Sequence, residues 1–406
     1  MTEAHRNLIA GPEYEERLRS LRGLLSDRGI DAALVWGRGG GSVDRGSDVR
    51  YLTGFYPVFP TIRDVPGVWS DRGLCALLVT ADEAILFSDD PSAEDAAVGV
   101  TSSVARHGVS DRNLAGDVLD ELGRRSGIGS LAVVAGDAMS GHHARILLGD
   151  PRFADREVVW DDGLVERLRL RKSEAEIALM RRAAAIAEEA LEAGFARIAP
   201  GVPEAEVVAA MAEAVARNEA VLANAFVYTT PRGGEAEDNR LPVHSARSLQ
   251  EGDVFTVDLS GVYAGYFFDL ARSTVVGAEP TPEQNRAYEL AKSSVDRVVE
   301  RMLPGARLGD AAAAGSALLR EAGIDPDDAE FAARGHGLGL GFEAPWVRDD
   351  SELVLEPGMI ISIEQFATAG GTSATYERNI LIGTDGPEDL VAVRDFWPAA
   401  EGKETE

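Results

Sequence analysis

The sequence predicts two folded domains in series: an α/β layer, then a second domain of long helices and strands tipped with acids. Three observations carry that prediction. A chain of 406 residues exceeds what one hydrophobic core comfortably fills. Its first third alternates helical and strand patterns, the signature of an α/β layer. Near residue 172 the character changes to Ala/Glu/Arg-rich helices interleaved with apolar runs that begin or end on a carboxylate.

Tyr14 to Gly29 carries apolar residues at helical spacing, and Ala32-Ala33-Leu34-Val35-Trp36 reads as a buried strand. Further strands are predicted at Leu74–Val79, Ala84–Phe87 and Leu131–Val134, with a helix near Leu114–Arg125. The Gly39-Gly40-Gly41 run lacks phosphate-loop chemistry and reads as a loop. Ser173 followed by Glu176 is a capping box that opens a helix to about Ile198. More helices follow at Pro203–Asn218, Pro282–Met302 and Leu308–Ala322. The division is placed so that 1–165 form the first domain, 166–398 the second, and 399–406 a disordered acidic tail. A faint echo runs through the second domain: Pro200-Gly201 and Pro304-Gly305 each follow one long helix and introduce another. That pattern fits two half-units related by a pseudo-twofold.

The net charge of -28, from 68 acidic and 40 basic side chains, repels phosphate backbones and anionic lipid. Nucleic acid and membrane surfaces are therefore not expected as partners. No apolar run approaches the ~20 residues of a membrane span, and the N-terminal residues have no signal-peptide pattern, so a cytoplasmic enzyme is expected. The single cysteine, Cys75, lies in an apolar strand and reads as core packing.

Five residues carry the chemistry. Asp258 ends the run Val254-Phe255-Thr256-Val257, and Asp269 lies eleven residues on, after Tyr266-Phe267-Phe268. His336 alternates with glycines in Gly335-His336-Gly337-Leu338-Gly339-Leu340-Gly341. Glu364 closes Met359-Ile360-Ile361-Ser362-Ile363, and Glu377 opens an apolar run at Ile380. Taken alone, each is as easily a strand-end acid or a loop histidine. Carboxylates embedded in apolar runs are costly unless paired with a cation. The partner could be a metal, or Arg272 in a metal-free pair. Four carboxylates and an imidazole suit a pair of hard-to-borderline divalent ions. The glycines around His336 lack the distant acid or the Gly-Lys-Ser/Thr that a nucleotide site would need; they would instead let backbone approach a crowded site.

In order and context these five residues resemble the pita-bread metallohydrolases: methionine and Xaa-Pro aminopeptidases, prolidase, and the metal-free creatinase. The resemblance covers residues 165–390, and more weakly Asp48-Val49-Arg50-Tyr51-Leu52-Thr53-Gly54-Phe55, which looks like the creatinase-type N-domain. It implies an α+β pita-bread catalytic domain preceded by an α/β creatinase-like N-terminal domain. It further implies two divalent metal ions held by Asp258, Asp269, His336, Glu364 and Glu377. Manganese is the first expectation, with cobalt, zinc or iron as alternatives. Asp269 and Glu377 would bridge, and Glu364 or Glu377 could shuttle a proton. His244, in Leu241-Pro242-Val243-His244, matches a further catalytic histidine of the relatives or is a surface loop residue. Glu343, Tyr228 and Arg272 are assigned to substrate contact, and a homodimer is implied.

The pattern also departs from the relatives. Their second histidine after the metal-binding one is missing from Leu340-Gly341-Phe342-Glu343-Ala344-Pro345-Trp346, where Glu343 either replaces it or matches the acid that follows. Thr375 stands where an arginine is usual. The expected function is a dinuclear metal-dependent hydrolase of the Xaa-Pro dipeptidase or aminopeptidase type, acting on a small peptide. The departures keep open a non-peptidase enzyme on the same scaffold, either a creatinase-like C–N hydrolase or a metal-dependent lyase acting on a small-molecule amide. A binding protein that merely kept the fold would not need all five ligands.

Overall fold

The structure is a computed structural model that describes residues 8–39, 47–57, 71, 73–89, 97–105, 113–234, 244–326, 333–392 and 394–398. Gly40 and Gly41 of the glycine run, and the acidic tail at 399–406, lie outside the described residues. The chain divides into two compact units, Met1–Arg169 and Leu170–Glu406. No helix among the described residues is long and apolar enough to cross a membrane.

The first unit runs α1 (Gly11–Asp27), β1 (Ala32–Arg38), α2 (Ser47–Thr53), β2 (Leu74–Thr80), β3 (Ala84–Ser88), β4 (Ser102–Ala105), α3 (Leu114–Arg124), β5 (Ser130–Val134), α4 (Gly141–Leu148), α5 (Pro151–Ala154), β6 (Glu157–Trp160) and α6 (Gly163–Arg169). Its six strands are ordered β4-β3-β2-β1-β5-β6. The β1 strand pairs antiparallel with β2 and parallel with β5. Both of its faces are covered, which explains an apolar run without alternation. Ala32, Leu34 and Trp36 pack with Val118 and Leu122 of α3 and Leu147 of α4, while Ala33 and Val35 are fully buried as well. Cys75 of β2 is buried, and burial alone pushes its thiol up, so it is a packing residue.

The second unit runs α7 (Glu174–Phe195), α8 (Glu204–Arg217), β7 (Val221–Thr230), β8 (Val254–Tyr263), β9 (Tyr266–Val275), α9 (Pro282–Val299), α10 (Leu308–Glu321), β10 (Gly335–Leu338), β11 (Phe342–Trp346), β12 (Ile360–Ala369), β13 (Thr372–Ile382) and β14 (Pro387–Asp389). The capping box forms as the sequence predicts: Glu176 N donates to Ser173 Oγ and Ser173 N to Glu176 Oε2. A cap of this kind is worth about 1 kcal/mol. The sheet is ordered β11-β10-β12-β13-β9-β8-β7, with β14 beside β13.

Strand alternation gives this sheet two chemically distinct faces. On one, Val257 and Leu259 of β8 and Phe268 and Leu270 of β9 pack against α7 and α8. Ile361, Ile363, Tyr376, Ile380 and Ile382 of β12 and β13 pack against α9 and α10 on the same side. The other face is left to the polar residues between them.

The echo in the sequence is a repeated backbone. Gly201 N donates to Leu249 O at 2.8 Å, and Gly305 N to Leu355 O at 2.8 Å. Gly252 N donates to Val276 O at 2.7 Å, and Gly358 N to Ile382 O at 2.9 Å. Each helix hairpin is thus stitched in the same way to its own strand hairpin, and the two halves meet between β9 and β13.

Candidate metal centre

The five predicted ligands come together on the face opposite α7 to α10. In β8 and β9, Asp258 lies opposite Ala271 and Asp269 opposite Ser260. In β12 and β13, Glu364 lies opposite Glu377, and His336 of β10 lies opposite Ser362. Residues opposite one another, or two apart, share a face. Each of Asp258, Asp269 and Glu377 offers an oxygen, all within 4.8 Å of one another. His336 Nε2 lies 3.2 Å from Asp269 Oδ2 and 3.6 Å from Glu364 Oε1.

The groups are held from behind. Glu377 Oε2 accepts from Ala271 N at 2.5 Å, and its Oε1 accepts from Ser362 Oγ. Asn379 Nδ2 donates to the carbonyl of Asp269 at 2.6 Å. His336 Nδ1 is 3.0 Å from Gly337 O. A carbonyl only accepts, so Nδ1 carries the proton and the Nε2 lone pair is left for a cation. The glycines beside His336 are steric necessities: a Cβ at Gly335 would lie 1.9 Å from Ser362 O, and one at Gly337 2.2 Å from Ala344 O.

Electrostatics point the same way. Burial, followed by the Glu377 and Asp258 charges, lifts Asp269 well above the usual carboxylate range. Burial and Glu377 do the same to Glu364. Glu377 is pushed up to about 7 by burial and Asp258. Burial also raises Asp258, against a hydrogen bond with Asp269 and the nearby His336. Acids crowded and desolvated in this way hold protons until something more positive replaces them. A donor set of carboxylate oxygens and one imidazole nitrogen fits divalent metal ions.

Two of the expected substrate contacts need correction. Arg272 alternates with Asp269 and Ala271, so it points to the helix-covered side of β9. It is fully buried, its Nη1 donates to Glu377 O and Ala271 O at 2.6 and 2.8 Å, and it lies 4.3 Å over the Tyr376 ring. It therefore neither reaches substrate nor pairs with the two aspartates. Glu343 pairs with Gly337 rather than His336, and its Oε1 takes the Lys172 ammonium at 2.8 Å, with both side chains at most 4% exposed. A buried, neutralised carboxylate is not a substrate anchor. Sequence reading missed Lys172 because nothing local marks a partner so distant in the chain.

Tyr228 does lie on the metal face, opposite Thr256, with its ring edge-on to Phe366 at 6.0 Å. Phe342 and Trp346 lie 5.1 and 6.1 Å from the His336 ring and are 46% and 48% exposed. An aromatic wall thus stands in the segment where the relatives' second imidazole was expected. Tyr266 is buried in the core, its hydroxyl donating to Glu176. Thr375 is fully buried, with its N donating to Ser273 Oγ and its Oγ1 to Gln365 O. His244 is half-buried, and its Nδ1 has no hydrogen-bond partner among the described residues; the residues just before it lie outside them.

The first unit holds a Ser-His-Asp line that sequence reading did not single out. Ser140 Oγ is 2.6 Å from His143 Nδ1, and His143 Nε2 is 3.0 Å from Asp71 Oδ1. All three are buried, and Ser140 Oγ also caps α4. These bonds tie Asp71 to the start of α4, and the buried Ser140 hydroxyl is committed to them.

Comparison with known proteins agrees with this geometry. Residues 178–384 match the model of metallopeptidase family M24, and residues 17–171 match the creatinase/prolidase N-terminal domain. The chain is 33% identical over 247 residues to a probable dipeptidase PepE of Mycobacterium tuberculosis, a match covering 57% of this chain and 62% of that relative. It is 27% identical over 355 residues to the uncharacterized peptidase YqhT of Bacillus subtilis, covering 86% and 89%. An Xaa-Pro dipeptidase from Bacillus anthracis superposes with a TM-score of 0.73 at 24% identity, over 96% of this chain and 100% of that one. The fold is a creatinase-type N-terminal domain followed along the chain by a pita-bread domain. With a carboxylate cluster and two family models in agreement, the chain belongs to metallopeptidase family M24.

Proposed function

We propose that this protein is a dinuclear metal-dependent peptidase of the Xaa-Pro dipeptidase type, acting on a small peptide. The observation that carries the reading is the convergence of Asp258, Asp269 and Glu377 within 4.8 Å, beside His336 and Glu364. Asp269 and Glu377 would bridge the ions, Asp258 would hold one, and His336 with Glu364 would complete the other. Two such ions, when bound, lower the pKa of a shared water and polarise the scissile carbonyl. Glu364 or Glu377 would take a proton from the attacking water and pass it to the leaving nitrogen. His244, with a ring nitrogen that lacks a partner among the described residues, is assigned a proton-donating role near the substrate. Tyr228, Phe342, Trp346 and Phe366 would exclude water and seat an apolar side chain. Manganese is the first choice of metal, and a cytoplasmic homodimer the expected form.

The missing second imidazole and Thr375 favour a narrower substrate range than a general prolyl peptidase. Curated relatives named as dipeptidases support peptide cleavage over the creatinase-like or lyase alternative. The test is metal analysis of the purified protein with a panel of Xaa-Pro and other dipeptides. Two ions per chain and peptide cleavage are expected. Full metal loading without cleavage of any peptide would overturn the peptidase assignment.

A further inference from the structure

The two halves of the second unit meet along a seam with little ladder. The β9 and β13 strands pair at one position, Tyr376 with Arg272. The bridging carboxylates proposed above come from opposite sides of this seam, Asp269 on β9 and Glu377 on β13. Their spacing therefore depends on whatever else fastens the two strands.

Side chains do that fastening. On the metal face, Ala271 N reaches Glu377 Oε2, Thr375 N reaches Ser273 Oγ at 2.9 Å, and Asn379 Nδ2 reaches Asp269 O. On the helix face the work falls to Arg272. Its Nη1 joins the carbonyls of Ala271 and Glu377 across the seam, its Nε points to Arg394 O at 3.4 Å, and Tyr376 lies beneath the guanidinium. Its Nη2 is buried without a hydrogen-bond partner among the described residues. A fully buried cation with one unsatisfied nitrogen is a costly way to fill a core, and points to a role in geometry.

The segment after the last strand holds this arginine in place. Phe396 O accepts from Thr274 Oγ1 at 2.8 Å, and its ring packs on Phe195 at 4.2 Å. Trp397 stacks on Tyr288 at 4.4 Å and 2°, while its Nε1 donates to Asn285 at 2.9 Å. Asp395 takes Lys292 at 2.8 Å. Phe396 thus belongs to the core of the first half and Trp397 to that of the second, and Arg394 O is presented to Arg272 between them.

From this arrangement we infer that Arg272 is a positioning residue for the metal centre: clasped by residues 394–397, it sets the separation of Asp269 and Glu377 across the seam. The inference rests on the dinuclear reading, and its test keeps the two apart. Manganese(II) is titrated into the metal-free full-length protein by calorimetry, and the loaded protein is examined by electron paramagnetic resonance. Wild type should bind two ions and give the spectrum of a coupled pair; binding of fewer would sink the dinuclear reading itself. Arg272→Met, checked for native near-ultraviolet dichroism, should bind the weaker ion about tenfold to a hundredfold less tightly, the range for residues that orient ligands. Its coupled spectrum should give way to that of isolated ions. Arg272→Lys should recover part of the affinity, because it keeps the charge but loses the planar fork. Two ions bound by Arg272→Met with wild-type affinity and coupling would overturn the inference. If Arg272→Met does not fold, Thr274→Val and Trp397→Leu loosen the clasp from outside. Weaker binding of the second ion in both is expected, and unchanged binding in both refutes it.

Discussion

Replacing Lys172 by methionine removes one partner of an ion pair sealed inside the second unit. The ammonium and the Glu343 carboxylate are 2.8 Å apart, with side chains only 3% and 4% exposed. The carboxylate packs closely on Gly339, where an added Cβ would lie 2.3 Å from its Oε1. The variant therefore takes the ammonium away from a buried carboxylate, and breaking such a pair costs about 3–5 kcal/mol. In a unit of this size, each kcal/mol lowers the melting temperature by roughly 2–4 °C. The drop should be on the order of 10 °C, read by circular dichroism and confirmed by urea titration at constant m-value. The double variant Lys172→Met with Glu343→Leu leaves no charge behind and should recover most of the loss, because well-packed apolar replacements of such pairs are often near neutral. A single variant that loses less than about 1 kcal/mol, or a double variant as unstable as the single, would refute the reasoning.

Asp269→Asn removes one acid from the crowd, so metal affinity should fall at least about a hundredfold while the metal-free protein melts a few degrees higher. A lower melting temperature by calorimetry would contradict the repulsion argument. The metal-free protein should lose stability as pH rises from about 4.5 to about 7. Glu377 has its folded proton affinity raised from 4.5 to about 7, so the native state binds more protons than the unfolded one throughout that window. The effect of this group is on the order of 3 kcal/mol, and urea midpoints that rise across the window would count against it. Trp346→Ala, at a half-exposed ring, should leave the melting temperature within about 2 °C yet raise KM for dipeptides with apolar side chains. Steady-state kinetics showing KM unchanged would remove it from the pocket wall.

The acids of the cluster were legible because each adjoins an apolar strand pattern, and alternation then fixes its face; His336 was marked instead by its alternation with glycines. Helix starts were equally plain where a capping box or a proline stood. What escaped were partners with no local mark. Lys172 looks like any basic residue before a cap, yet it neutralises Glu343 across the sheet. Arg272 was misassigned because its sign suggested an anion partner, whereas its parity within β9 sends it to the opposite face from Asp269. Reading that parity against the apolar residues Phe268 and Leu270 would have corrected the assignment from sequence alone. The Phe396 and Trp397 contacts depend on two cores meeting, which periodicity within one element does not encode.

The repeated backbone has a chemical corollary. In one strand hairpin an acid faces an alanine, Asp258 across from Ala271; in the other an acid faces an acid, Glu364 across from Glu377. The imidazole belongs to one half only. Cations gathered there would meet unequal surroundings, one of them richer in nitrogen and the other purely oxygenic. Loading should therefore proceed stepwise, through a species with a single ion, even though the scaffold beneath is close to symmetric.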